Sequence, residues 1–279
     1  MSVDTLSVRP LSDTCGAEVT DIDLARISDA GLSEIRRLVA DRGIVVVRDQ
    51  DLSPEQHIAF ARRWGQIDYN RFFPIDPQFP EIALVQKDEA QTTNIGGGWH
   101  TDHSYDVEPA MGSILVAREL PPSGGDTLFS SMYAAWDGLS AGLKATLETL
   151  RAVHTSDHIY GPEGVFAKTD IGATLRGQDA HTHAVHPVAI THPDSGRKAL
   201  FVNPAFTIGI EGWTREESQA LLQYLYSRAV QPENVAKVEW RPGSVAIWDN
   251  RATWHMAKND YHGHRRVMHR ITLAGAPLH

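Results

Sequence analysis

Hydrophobic positions change period along the chain. Leu32, Ile35, Leu38 and Val39 recur every three or four residues and mark one face of a helix, opened by Ser28 and closed by Gly43. Ile44 to Val47 follow as an uninterrupted β-branched run, the signature of a buried strand. Ser53-Pro54-Glu55-Gln56 forms a capping box with proline at the first helical position, so a second helix should run to about Trp64, before Gly65. Ahead of both helices, Leu6, Val8, Ala17 and Val19 are weaker strand candidates around the turn residues Ser12, Asp13 and Gly16.

Beyond residue 66 short strands dominate. Strands are expected at Ile82–Gln86, Gly112–Arg118, Thr127–Ser130, His186–His192, Ala199–Val202, Val238–Arg241, Ser244–Trp248 and Arg266–Ala274. One helix is expected over Met132–Leu150, where Leu139, Leu143 and Leu147 lie a turn apart, and another over Arg215–Ala229. Residues 154–185 carry Gly, Asp, His and Thr without a period, which suggests a functional lid or insert. The pattern predicts a mainly β fold, an antiparallel sandwich or barrel with helices packed outside, forming one domain over residues 1–279.

Composition narrows the function classes. A net charge of −9 argues against a nucleic-acid partner, which would leave a basic patch. The only cysteine, Cys15, excludes an internal disulfide and a cysteine-based zinc site. Met1 to Leu11 lacks the apolar core of a signal peptide, and no apolar run approaches membrane-span length. A cytoplasmic protein is expected.

The chemistry gathers around Gly97-Gly98-Trp99-His100-Thr101-Asp102-His103-Ser104-Tyr105-Asp106. In an extended segment His100 and Asp102 would project from one face and make half of a 2-His-1-carboxylate metal site. With 14 histidines in the chain the third ligand rests on context. His255 follows the expected strand Ser244–Trp248, at a strand exit where a loop residue can swing into a barrel mouth. In Arg266-Val267-Met268-His269-Arg270, the residues Arg266, Met268 and Arg270 share a face while His269 points away. Two inward guanidiniums need carboxylates, which a dicarboxylate cosubstrate would provide. Trp248 and Trp254 read as core, and Asn203 as a turn residue near the pocket.

Four stretches in register resemble the taurine / 2,4-dichlorophenoxyacetate (TauD/TfdA) dioxygenase family. They are Trp99-His100-Thr101-Asp102, Pro121 to Thr127, Trp248-Asp249-Asn250-Arg251 with His255, and Arg266 to Arg270. The resemblance implies a double-stranded β-helix (jelly roll). It also implies Fe(II) held by His100, Asp102 and His255, with 2-oxoglutarate and O2 as cosubstrates. It assigns Thr127 and Arg266 to the distal carboxylate of 2-oxoglutarate, and Arg270 to its C1 carboxylate and the substrate's acidic group. The reaction implied is hydroxylation of a small anionic substrate, with bond cleavage where the carbon bears a heteroatom. Family members form dimers and tetramers. Where the taurine enzymes carry a histidine, a tyrosine and an asparagine around the substrate, this chain aligns Asn70, Phe73 and Gly96. His103 and Tyr105 are further pocket neighbours, and Phe72, Phe73, Tyr105 and Phe206 could line a more apolar pocket. Taurine is therefore expected to be a poor substrate. The competing class is a non-redox metal protein on the same fold, such as a cupin-like isomerase or a small-molecule binding module.

Overall fold

The structure, a computed structural model, describes residues 6–177 and 181–279. Its largest sheet has eight strands, running Ser7–Pro10, Ala17–Thr20, Ile44–Val47, Val245–Asp249, Gly112–Glu119, Arg266–Leu273 and Ile67–Asp68, with Ala83–Lys87 also on Arg266–Leu273. All these pairs are antiparallel except Ala17–Thr20 with Ile44–Val47. A facing sheet orders Val235–Val238, Thr127–Ser131 and Thr253–Ala257. A third sheet joins Thr207–Ile210, Arg151–His154 and Ala184–Pro187, and Ala189–Thr191 pairs with Lys198–Leu200.

Alternation along the strands sorts side chains between two cores. Ile44, Val46, Leu115, Ala117, Ala246, Trp248 and Met268 point inward, against Phe129, Ala236 and Val238 of the facing sheet. Val45, Val47, Ile114, Val116, Val245 and Ile271 point outward, onto Leu32, Ile35, Leu38 and Val39 of the helix Asp29–Arg42 and Ile58, Phe60 and Ala61 of the helix Pro54–Trp64. Ile44–Val47 is thus buried on both faces, which is why it reads as unbroken apolar sequence. This is the expected jelly roll with helices outside. Both helix starts are as read: Ser28 caps through Gly31 N–H, and Ser53 and Gln56 close a capping box.

Several elements differ from the sequence reading. The expected helix Met132–Leu150 is two, Met132–Asp137 and Ala141–Leu147, because Gly138 ends the first while Ser140 caps Leu143 N–H. The strand expected at Val238–Arg241 lies at Val235–Val238, before the Pro242-Gly243 turn, where Gly243 has φ +73°. His186–His192 splits at Val188 into strands of different sheets. Strands at Arg151–His154, Thr207–Ile210 and Thr253–Ala257 carry too few alternating residues to be read in advance. The irregular segment 154–185 holds a short helix, Asp157–Tyr160, and two 3-10 turns; residues 178–180 lie outside the described residues. Among the described residues no helix is long and apolar enough to cross a membrane.

Candidate active site

The two sheets bring His100, Asp102 and His255 together, with one donor atom of each within 4.8 Å of the others. Two sequence expectations need correction here. His255 is not on a loop at a strand exit but inside the strand Thr253–Ala257, hydrogen-bonded along Thr127–Ser131. Asp102 does not follow His100 along an extended strand. His100 forms an isolated bridge to His255, and the chain then turns through residues 102–105, where His103 takes the left-handed φ of 57°. The turn, rather than period-two alternation, carries the Asp102 carboxylate between the imidazoles: Oδ1 lies 3.6 Å from His100 Nε2 and Oδ2 3.6 Å from His255 Nε2.

His100 Nδ1 lies 2.8 Å from the Gly98 carbonyl, which can only accept, so Nδ1 carries a proton and Nε2 is the nitrogen turned toward Asp102. Burial, then His100 beside it, pushes the His255 imidazole well below its usual range, so it stays neutral. Burial alone would raise the Asp102 carboxyl; Arg270, then His255 and His100, overrule it and hold the group below the usual range. Two imidazole nitrogens and a carboxylate are the donor set of a divalent cation.

Arg270 pairs with Asp102 (Nη2–Oδ2 2.8 Å, Nη1–Oδ1 3.3 Å), and its Nε donates to Ser113. Its guanidinium lies 5.6 Å from the Trp248 ring and 5.8 Å from Phe73. Arg266 shares that inner face, as expected, but Nε and Nη2 have no hydrogen-bond partner although the residue is only 5% exposed. Burial lowers its pKa. Thr127 starts the strand beside it and accepts a hydrogen bond from Trp240 Nε1 at 3.0 Å, which leaves its own hydroxyl proton free to donate. The approach depends on Gly124 and Gly125, at φ +79° and +72°; a Cβ on Gly125 would meet Arg266 Cδ at 3.3 Å.

Of the expected substrate neighbours, Phe73 lines the inner pocket with Thr127, Trp248, Arg266 and Arg270. Asn70 does not offer its oxygen to a ligand: Oδ1 accepts from Phe72 N and Phe73 N. His103 is tied through Nδ1 to Asp106 at 3.1 Å and Asp68 at 3.4 Å, and stacks on Tyr105. Trp254 is core, its Nε1 donating to Val202 O, whereas Trp248, also buried, forms a pocket wall. Asn203 orders the loop below, accepting from Phe206 N and donating to Ser104. Sequence reasoning missed Trp240, which has no motif around it. It also missed Lys87, buried opposite Arg266 in register, with Nζ donating to Asn259 and lying over the Tyr261 ring. A second cluster, His192, Asp194 and Asp249, is satisfied internally: His192 Nδ1 accepts two backbone N–H groups, Nε2 donates to Asp249, and Arg251 chelates that carboxylate.

The family described as "Taurine catabolism dioxygenase TauD, TfdA family" matches residues 7–272. The chain belongs to this family. It is 34% identical over 276 residues to the (S)-phenoxypropionate/alpha-ketoglutarate-dioxygenase of Sphingobium herbicidovorans, covering 97% of this chain and 95% of that one. A crystal structure of a taurine dioxygenase from Burkholderia xenovorans superposes with a TM-score of 0.81 at 34% identity, covering 97% and 91% of the two chains. The crystal structure of AAD-2 in complex with Mn(II) and N-oxalylglycine gives a TM-score of 0.79 at 29% identity, covering 98% of each. This TauD/TfdA protein is a 2-oxoglutarate-dependent non-haem iron dioxygenase, and the non-redox alternative is not favoured. Its residues fit those cofactors: the triad supplies one nitrogen from each histidine and a carboxylate, and two nitrogens of the buried Arg266 guanidinium are left without a partner, as an anion site requires.

Proposed function

We propose that this enzyme hydroxylates a carbon of a small organic acid other than taurine, at iron held by His100, Asp102 and His255. Thr127 and Arg266 take the distal carboxylate of 2-oxoglutarate, and Arg270 steadies Asp102 and attracts the acidic group of the substrate. The observation that carries this reading is the buried Arg266 guanidinium with two unpartnered nitrogens, beside a threonine whose proton is free. A buried cation of this kind is costly until a carboxylate meets it. The bound iron and 2-oxoglutarate supply the oxidation, with O2 consumed and succinate and CO2 released. The chain's part is to orient ligands and exclude water: Phe129 stacks on His255 at 5.7 Å and Trp248 lies 5.0 Å from the same ring.

Substrate class follows from what lines the cleft. Phe73 and Gly96 bring no polar group to it, and Asn70 has spent its oxygen on backbone. An aminosulfonate would lose the contacts its ammonium needs. The Sphingobium relative is named for a phenoxypropionate, an anion with an aryl ether, which supports an organic acid with apolar bulk. Segment 154–185 serves as the lid of the one domain: Ile159, Tyr160, Val165 and Phe166 form one wall of a cleft of about 390 Å³ beside His100. A cytoplasmic setting is supported by the single, buried cysteine.

The test is an anaerobic titration of the apoprotein with Fe(II) and 2-oxoglutarate, followed by visible absorption, alongside His100→Ala. A weak charge-transfer band in the wild type that is lost in the variant is expected. Iron binding without a band would overturn the reading. For the substrate, succinate release with taurine should fall well below that with phenoxyacetate or an alkyl sulfate; equal rates would refute the exclusion of taurine.

A further inference from the structure

The aromatic cluster over the cleft comprises Phe72, Phe73, Tyr105, Tyr160, Leu175 and Phe206. It contains two hydroxyls, on Tyr105 and Tyr160, and neither has a hydrogen-bond partner among the described residues. A hydroxyl without a protein partner is left to bond solvent or a ligand in the cleft. Tyr160 is the more informative of the two. It stacks on Phe72 at 4.4 Å and on Phe206 at 6.1 Å, and meets Phe73 edge-on at 6.3 Å. Phe206 lies against His100, and Phe73 lies against Arg270. The ring is thus one aromatic neighbour removed from both the histidine of the triad and the guanidinium beside its carboxylate. It also lines the cleft with Gly96 and His100. Burial first, and then the nearby Asp102 charge, raise its pKa, so the phenol keeps its proton and can only donate to an anion.

We propose that Tyr160 is a specificity-determining residue: its hydroxyl donates a hydrogen bond to the acidic group of the substrate, opposite Arg270. The inference rests on the proposed function and deepens it, since it names the polar contact that replaces those absent at Asn70, Phe73 and Gly96. The residue comes from the helix Asp157–Tyr160 of the lid, so the contact forms only with that segment packed down. The acidic group bound is an oxyanion, carboxylate or sulfate, whose oxygens accept from both the phenol and the guanidinium. The rings around it take the apolar remainder.

The experiment uses iron- and 2-oxoglutarate-loaded enzyme under nitrogen, titrated with phenoxyacetate and with hexyl sulfate, comparing wild type and Tyr160→Phe. Binding is read from the change in the visible band and, independently, from the thermal shift. The expected result is a Kd for the bound probe about tenfold or more weaker in Tyr160→Phe, the cost of one hydrogen bond to an anion. The Kd for 2-oxoglutarate and the melting temperature without probe should be unchanged, because the ring and its packing remain. Equal probe affinity in the two proteins would overturn the proposal, as would failure of both probes to bind an enzyme that does bind 2-oxoglutarate. No band on adding 2-oxoglutarate would instead overturn the cosubstrate site, a failure visible before any probe is added. Tyr160→Leu distinguishes ring from hydroxyl: a loss confined to Leu, with Phe unaffected, would assign the residue to packing and sink the proposal.

Discussion

His100 and His255 face each other as a backbone pair, His100 N–H donating to His255 O at 3.1 Å and His255 N–H to His100 O at 2.8 Å. Their ring centroids lie 4.1 Å apart. The bridge fixes the spacing of the two backbone positions from which the imidazoles project, and neither side chain takes part in it. His255→Ala should therefore keep its far-ultraviolet circular dichroism and cooperative unfolding while Fe(II) affinity falls roughly a hundredfold or more. Equilibrium dialysis with Fe(II) or Mn(II) checks this; unchanged metal affinity would remove His255 from the ligand set.

Arg266 makes a prediction of two signs. In Arg266→Met the Kd for 2-oxoglutarate should rise about a hundredfold, the equivalent of two charge-assisted hydrogen bonds. The cosubstrate-free protein should be no less stable, because the variant removes a buried cation with unpartnered nitrogens. Calorimetric titration and urea denaturation read the two effects separately. Thr127→Val should weaken 2-oxoglutarate about tenfold and Thr127→Ser should not.

The strand framework was legible where burial leaves a pattern. Ile44–Val47 reads as buried, and Arg266, Met268 and Arg270 read as one face, because period-two alternation survives in eight paired residues. The first two helix starts were legible because Ser28 and Ser53 each cap a backbone N–H group. His255 was legible as a ligand candidate but not as a strand residue. Its strand is five residues long and pairs with a sheet formed from distant segments. The turn at Asp102 was not legible either, since His103 holds a left-handed conformation that no glycine announces. Trp240 and Lys87 reach the site through tertiary packing alone. They leave no trace in a linear pattern.

Acid should destabilise the protein through two buried imidazoles outside the triad. His57 and His154 are held at about 3, above all by burial, with Arg118 adding to it at His57 and His186 at His154. In the unfolded chain such groups titrate near ~6.5. Between those values the unfolded chain binds protons that the native one refuses, so stability is complete above about pH 6.5 and falls as pH drops toward 3. The slope is about 1.4 kcal/mol per pH unit for each imidazole. Urea midpoints at about pH 7.5 and about pH 5.5 should differ accordingly, and His57→Leu should flatten the difference. Identical midpoints in the wild type would contradict the buried, neutral assignment.

Segment 154–185, proposed above as a lid, is tied to the rest of the chain at Asp170. The Asp170 carboxylate accepts from Thr92 N, Thr92 Oγ1 and Thr93 N, and Asn259 Nδ2 donates to Thr92 O from the other side. Asp170→Ala should speed proteolytic cleavage within 154–185 several-fold, and Fe(II) with 2-oxoglutarate should slow cleavage in the wild type. Limited proteolysis with mass spectrometry checks both. Identical cleavage in all three samples would leave the segment a fixed wall.

Tyr160 and Phe166 hang on a segment of short turns, whereas His255, Thr127, Arg266 and Arg270 sit in paired strands. On the assignments proposed above, oxidising machinery and substrate choice occupy parts of the chain with different tolerance for change. A deletion or insertion in the loop alters who is admitted, while the ladder beneath keeps its register and the iron its ligands. Divergence to new organic acids can then proceed by rewriting one surface stretch, and a laboratory exchange of that stretch between relatives would transplant selectivity without rebuilding the catalyst.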